Sequence, residues 1–204
     1  SLHDALPIYS KVATSHRVVS EVSSGVELLV PTEHVYHYDL QPTLVALGYA
    51  GRALSIPGSE YGFNPGHIGV YPVVYDPQGK LFGAPLWEEW PWSHIDPEVY
   101  FPLIHALPGR PLVVINHPRL GPDLGYFDNI GWRPGTPLKS AGLFDAVEVL
   151  SGYESAPEDV TLLLRDWFTL LSRGERVCAL GNSDTHGRNN GSGYPRNYLL
   201  VDED

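Results

Sequence analysis

The chain has no methionine, holds one cysteine among 204 residues, and carries 13 basic against 24 acidic side chains. Each scarcity excludes something. A single cysteine, Cys178, rules out an internal disulfide framework while leaving the compartment open. The formal charge of −11 argues against a nucleic-acid backbone as partner, because that would need a basic face. An anionic substrate stays open, since a bound metal ion inverts the local field. No apolar run approaches the roughly 20 residues of a membrane-spanning helix, and no signal peptide is visible. Without methionine, residue 1 is a start-codon product only if the chain was processed. The stretch "SLHDALPI", residues 1–8, resembles the translated tail of a short-read sequencing adapter. Ser1–Ile8 is therefore set aside as an assembly scar, the alternative being an ordinary mobile N-terminus. At the other end, "NYLLVDED" stops just after a strand-like apolar run with no closing helix. Residues 9–204 are accordingly expected to be one partial domain, incomplete at both ends.

What is present is globular: 43% hydrophobic, 18% charged, and long enough for one sizeable core. Apolar runs alternate with helical patterns. "HRVVSEVSSG" has helical spacing and ends at Gly25, "VELLVP" reads as a strand, and "QPTLVALG" as a short helix closed by Gly48. "ALSIPG" and "IGVYPVV" are further strands, and "DPEVYFPLIHAL" a helix with an acidic cap despite Pro102. "PLVVIN", "FDAVEVL" and "RVCALG" are continuous apolar runs of the kind buried on both faces. Between the last two, "PEDVTLLLRDWFTLLSRG" has an acidic start and a basic, glycine-terminated end, as a helix should. This alternation predicts an α/β fold with a mostly parallel sheet or barrel. Residues 76–100 and 118–143, rich in Pro, Gly, Trp and Asp, read as long functional loops.

Polar residues collect where the apolar runs stop. His34 follows "VELLVPTE", Glu60 follows "ALSIPGS", His117 follows "PLVVIN", and Asp184 and His186 follow "VCALGNS"; His67 opens the next strand. In a parallel barrel the C-terminal strand edge is where an active site is built. Neutral imidazole and carboxylate are the ligands that divalent Mn, Fe or Zn accept. Alternation along a strand would aim Asp184 and His186 into one pocket, with the preceding glycine letting the backbone turn. Singly, each residue also has a structural reading: a hydrogen-bonded His, Asp184 as a helix cap, Glu60 as a solvated loop charge.

The stretches "GVELLVPTEH", "SIPGSE" with "GHIGVYP", "INHPR", "FDAVEVLSG", "GNSDTHG" and "GYPRNYL" together resemble the CehA/McbA-type metallohydrolases. These belong to the polymerase-and-histidinol-phosphatase (PHP) superfamily, and the likeness runs from about Val12 onward. It implies a distorted (β/α)7 barrel and up to three divalent metals. It places metal and catalytic roles on His34, Glu60, His67, His117, Asp184 and His186, with Glu60 bridging two metals. Glu33 stands where the family has Asp, and no counterpart of the family's opening His-x-His is found. In the family's trinuclear arrangement, Glu60, His67 and His117 would complete one position. A second would keep Glu60 and Asp184, and a third His34 and His186. The chain is thus expected to bind metal weakly and hydrolyse little, while a parent protein would be the enzyme.

The chemistry so implied is attack of metal-activated water on a small phosphoester or carboxylic ester. Arg119 and Arg196 are candidate anion clamps, or else arginines salt-bridged beside the site. His37 is a candidate proton carrier or simply a hydrogen-bonded loop residue. Trp87, Trp90 and Trp92 form a lid or pack a loop. Cys178, inside an apolar strand, is expected to be buried and inert. The competing readings are a non-catalytic binding module with a degenerate metal site, and a zinc amidohydrolase with one or two metals. The second does not account for "GHIGVYP" and "INHPR" together.

Overall fold

The computed structural model describes residues 12–63, 65–85, 96–152, 156–187 and 193–201. The adapter-like stretch and Trp87, Trp90 and Trp92 lie outside them. The first elements make a small layer of their own. Helix α1 (Thr14–Ser23) buries Val18 and is closed by Gly25 at φ 80°, a conformation that costs glycine little. Strand β1 (Leu28–Leu29) pairs in parallel with β2 (Leu54–Ser55), and helix α2 (Gln41–Ala46) lies between them in the chain. Pro42 sits in the first turn of α2, where its missing N–H is not needed, and Gly48 at φ 75° follows the last turn. Val18, Leu29, Leu40, Leu44 and Ala53 form the cluster beneath.

The larger body is a five-stranded sheet in the order β3 (Ser59–Phe63), β4 (Gly66–Tyr71), β5 (Leu112–Ile115), β6 (Ala146–Ser151) and β7 (Cys178–Asn182). The first two pairings are antiparallel and the last two parallel. This overturns the barrel: among the described residues there is an open, mixed sheet and a separate two-stranded one. The cause is local. Phe63 pairs with Gly66, so two residues join β3 to β4, and a connection that short permits only an antiparallel hairpin. Glu60 is likewise not at a strand's end. The run "ALSIPG" yields only β2, and the chain then re-enters β structure with Glu60 as the second residue of β3.

The two sheets meet through close backbone contact. A Cβ on Gly58 would lie 2.6 Å from the Pro31 carbonyl oxygen, so only glycine fits. Isolated bridges, His34 with Glu60 and Tyr38 with Gly58, complete the join.

Helix α3 (Pro97–His105) starts at Asp96, whose carboxylate accepts from the Glu98 N–H at 3.0 Å, and continues through Pro102. The stretch 118–143 holds two short helices, α4 (Gly121–Leu124) and α5 (Tyr126–Asn129), where an irregular loop was expected. Helix α6 (Pro157–Ser172) joins β6 to β7 and turns Leu163, Asp166 and Leu170 inward, the i, i+3, i+7 stripe of an amphipathic helix. Its first turn carries Glu158 and Asp159, which suit the positive end of the helix dipole. Tyr61, Ile68, Phe101, Ile115, Tyr126, Phe127, Val147 and Leu170 are at the centre of the main core.

Strand β7 is the last of the sheet and is only half-buried. Cys178, its first residue, emerges as an exposed free thiol, which corrects the expectation of a buried one. Tyr198–Val201, strand-like by sequence, belongs to no strand and stays exposed.

Candidate metal centre

The hairpin β3–β4 builds the floor of the site by alternation and by two glycines. Glu60 faces Gly69 across the ladder, and His67 faces Gly62. Residues 60 and 62 share one face of β3, so each functional side chain stands opposite a position with none. The bare positions are filled by neighbours. A Cβ on Gly62 would come within 3.4 Å of His67 Nε2 and 3.5 Å of His34 Nδ1. One on Gly69 would press on Asn116 Oδ1 at 2.9 Å. His34 enters from the smaller layer: Glu60 N–H donates to the Glu33 carbonyl and Val35 N–H to the Glu60 carbonyl, which fixes its height beside β3. His117 directly follows Asn116 at the end of β5, and Asp184 and His186 follow β7.

The carboxylate of Glu60, 4% exposed, is the hub. His34 Nε2 lies 3.1 Å and His67 Nδ1 3.5 Å from its Oε2, while His117 Nε2 lies 3.5 Å from Oε1. Asn116 Nδ2 donates to Oε1 at 2.6 Å and holds the carboxylate in plane. The rings of His34 and His67 meet edge to face at 5.1 Å, and those of His67 and His117 at 4.9 Å. His186 stands further out, 6.3 Å from His34 between ring centres.

His34, Glu60 and His67 each offer an atom within 4.8 Å of the others and could hold a metal ion. Two of the contacts, 3.1 and 3.5 Å, are close to the roughly 3.4 Å that separates ligand atoms with bonds of about 2.1 Å in tetrahedral geometry. His117 Nδ1 is buried with no hydrogen-bond partner among the described residues. A mixed imidazole and carboxylate donor set with a spare buried nitrogen fits a divalent ion. The tight group includes His34, whereas the family arrangement would have joined His117 to Glu60 and His67.

The backbone is strained at this place. Val35, His117 and Asp184 have φ of 75°, 25° and 46°, three of the six described non-glycine residues on the unfavourable side. Asp184 makes the turn expected of a glycine, while Gly181 remains inside β7. Alternation does not align Asp184 with His186, since both lie beyond the strand. Instead His186 Nδ1 approaches the Asp184 carbonyl oxygen at 2.9 Å and its carboxylate at 3.4 Å.

Burial and charge pull the ionisable groups in opposite directions. Burial raises Glu60, but hydrogen bonds from His117 and His67 outweigh it and hold the carboxyl well below the usual range. Burial would lower His117, yet Glu60 beside it lifts the imidazole to about 9. His34 is lowered, chiefly by burial. Glu33 is pushed up to about 7 and Glu148 to about 8, each mainly by burial, and Asp184 is raised by burial and by Glu60. The site is a dense set of carboxylates and imidazoles, each biasing the ionisation of its neighbours.

The candidate clamps are occupied by the chain itself. Arg119 gives Nε to Asp166 at 2.7 Å and Nη1 to Asp128 and the Trp132 carbonyl, both at 3.0 Å, over the ring of Phe127. Arg196 donates to the carbonyls of Gly193 and Ser24 and ties the 193–201 segment to the end of α1. His37 is buried between the Val74 carbonyl at 2.7 Å and the Tyr61 hydroxyl at 2.9 Å. Sequence reasoning passed over Asn116 and Glu148. Their signals were slight: an amide next to His117, and the second of two acids in the largely apolar run "FDAVEVL". No protein-family model matches the chain, and no curated protein matches it.

Proposed function

We propose that this chain carries the ligand-bearing part of a metal-dependent hydrolase acting on a small phosphoester or carboxylic ester. The observation that carries the reading is the convergence of His34, His67 and His117 on the single buried carboxylate of Glu60. Three imidazoles around one carboxylate is a costly way to stabilise a fold, and a natural way to present lone pairs to a cation. A bound Mn, Fe or Zn would supply an acidified water and a counter-charge for a developing oxyanion. The chain's part is to hold His34, Glu60 and His67 as ligands, with His117 on the far oxygen of Glu60. Asn116 keeps that carboxylate oriented, and the lack of a side chain at Gly62 and Gly69 makes room for His34, His67 and Asn116. Asp184 and His186, at the rim, are placed to hold or pass a proton. The likeness of the motifs to CehA/McbA-type enzymes supports the chemistry, including its PHP kinship, and not the barrel.

Titration of the purified chain with Zn²⁺, Mn²⁺ and Co²⁺ in a calorimeter tests the reading. Saturable binding is expected, with a loss of at least about 10-fold in Glu60→Gln and in His34→Ala. Hydrolysis of bis-p-nitrophenyl phosphate or p-nitrophenyl acetate by the loaded chain, abolished in a folded His117→Ala, would establish turnover. Tight binding without turnover would move the conclusion to a metal-binding module, and no binding of any of the three ions would refute both.

A further inference from the structure

Glu148 lies in the middle of β6, 1% exposed, between Val147 and Val149. A carboxyl group in that place needs a partner, and its Oε2 accepts a short hydrogen bond from the backbone N–H of His117. The ladder explains why that N–H is available. Strands β5 and β6 pair at Val114 with Ala146 and at Ile115 with Val147, and β5 ends at Ile115. Beyond it the chain turns away, with His117 at φ 25°. The β6–β7 register also slips between Glu148 and Leu150, leaving Val149 as an extra residue. Such slips bend a strand and redirect the side chains beside it. A side-chain carboxylate thus replaces the strand carbonyl that the His117 N–H would otherwise meet.

We propose that Glu148 is a positioning residue: it anchors the His117 main chain in its strained turn and so aims the imidazole at the Glu60 carboxylate. Its consequence for metal affinity rests on the hydrolase reading above, whereas the anchoring does not. Glu148 touches neither Glu60 nor the other candidate ligands by a hydrogen bond among the described residues. Its hydrogen bond to the site runs through the His117 main chain.

The test uses the full chain with Glu148→Ala, which removes the acceptor, and Glu148→Gln, which keeps a neutral one. In wild type the His117 amide proton should resonate downfield, as expected for a short bond to a carboxyl oxygen. It should move upfield partway in E148Q and fully in E148A, with the His117 ring signals shifting in E148A. Co²⁺ titration followed by its visible absorption should show affinity about 10–100-fold weaker in E148A, with an altered band, and near wild type in E148Q. An unmoved His117 amide with unchanged Co²⁺ affinity in E148A overturns the proposal. If wild type binds no Co²⁺, the metal reading falls, and the amide and ring shifts alone decide for or against Glu148. If E148A does not fold, E148Q decides: an amide that stays in place overturns the proposal, and one that moves upfield supports it.

Discussion

The two hydrophobic clusters of this molecule differ in size, in composition and in what they hold. The main sheet rests on a large core in which Tyr61, Tyr126, Phe127, Trp132 and Phe144 interlock. The smaller cluster has five buried members among the described residues, all aliphatic, with Tyr38 and Tyr49 packed against it. Glu60, His67 and His117 stand on the first, and His34 is supplied by the second. Between them the polar groups that would be costly inside either cluster can be brought together. The candidate centre is thus a seam: its ligands come from regions with cores of unequal size, so loosening the smaller one is expected to displace His34 first.

The sharpest way to break the comparison is at Arg119. Its guanidinium is the buried partner of Asp166, which is 1% exposed, and it lies over Phe127 and Trp132. Arg119→Ala should cost about 3–5 kcal/mol in urea denaturation, because it leaves a buried carboxylate uncompensated. A loss under about 1 kcal/mol would return this arginine to the role of a free anion clamp. Next comes Leu44→Ala in the small cluster, expected to cost about 2 kcal/mol, the low end for a buried leucine, since a small cluster relaxes readily. Hydrogen exchange should then rise around His34 while amides of β4, β5 and β6 stay protected. Uniform loss of protection would show that the two clusters form a single cooperative unit.

A smaller effect concerns pH. Burial lifts Glu33 to about 7 and Glu148 to about 8, above the ordinary carboxyl value of 4.5. Across that interval the folded chain binds protons that the unfolded chain has released, so stability falls as pH rises. His117, held up at about 9, adds a contribution that is present below its ordinary 6.5 and is lost as pH rises through 9. Burial lowers His34 and His37, which adds the opposite slope below their ordinary 6.5. The melting temperature of the metal-free chain should therefore decline from pH 7 to pH 9, and Glu148→Gln should flatten that decline up to about pH 8. A melting temperature that climbs over this range would contradict these assignments. The smallest effect is at Cys178. A thiol reagent should label the native chain stoichiometrically at this exposed residue without lowering its melting temperature.

Much of the site was legible because metal-competent residues followed apolar runs, and the structure does gather His34, Glu60, His67 and His117. Periodicity gave most of the elements as well, including α1, α2, α3, α6, β4, β5 and β6. Apolar runs report that a strand exists and are silent about its partner's direction, so the parallel barrel rested on alternation and on the family resemblance. The two-residue link between Phe63 and Gly66 decided otherwise. Supports such as Asn116 and Glu148 were hidden for another reason. A polar residue that serves by bonding a neighbour's main chain leaves no spacing pattern, only its own unexpected presence.

The parallel bridge between His34 and Glu60 is where the two layers join, and the same two side chains are members of the candidate metal group. Any cation gripped by that pair is a rivet through the joint. Its grip adds to the cohesion of the whole by mass action, rising with the logarithm of free ion concentration above the dissociation constant. With an ion so held, the ion content of the surroundings would become a variable of the architecture, and a chelator would act on the loaded chain as a mild denaturant.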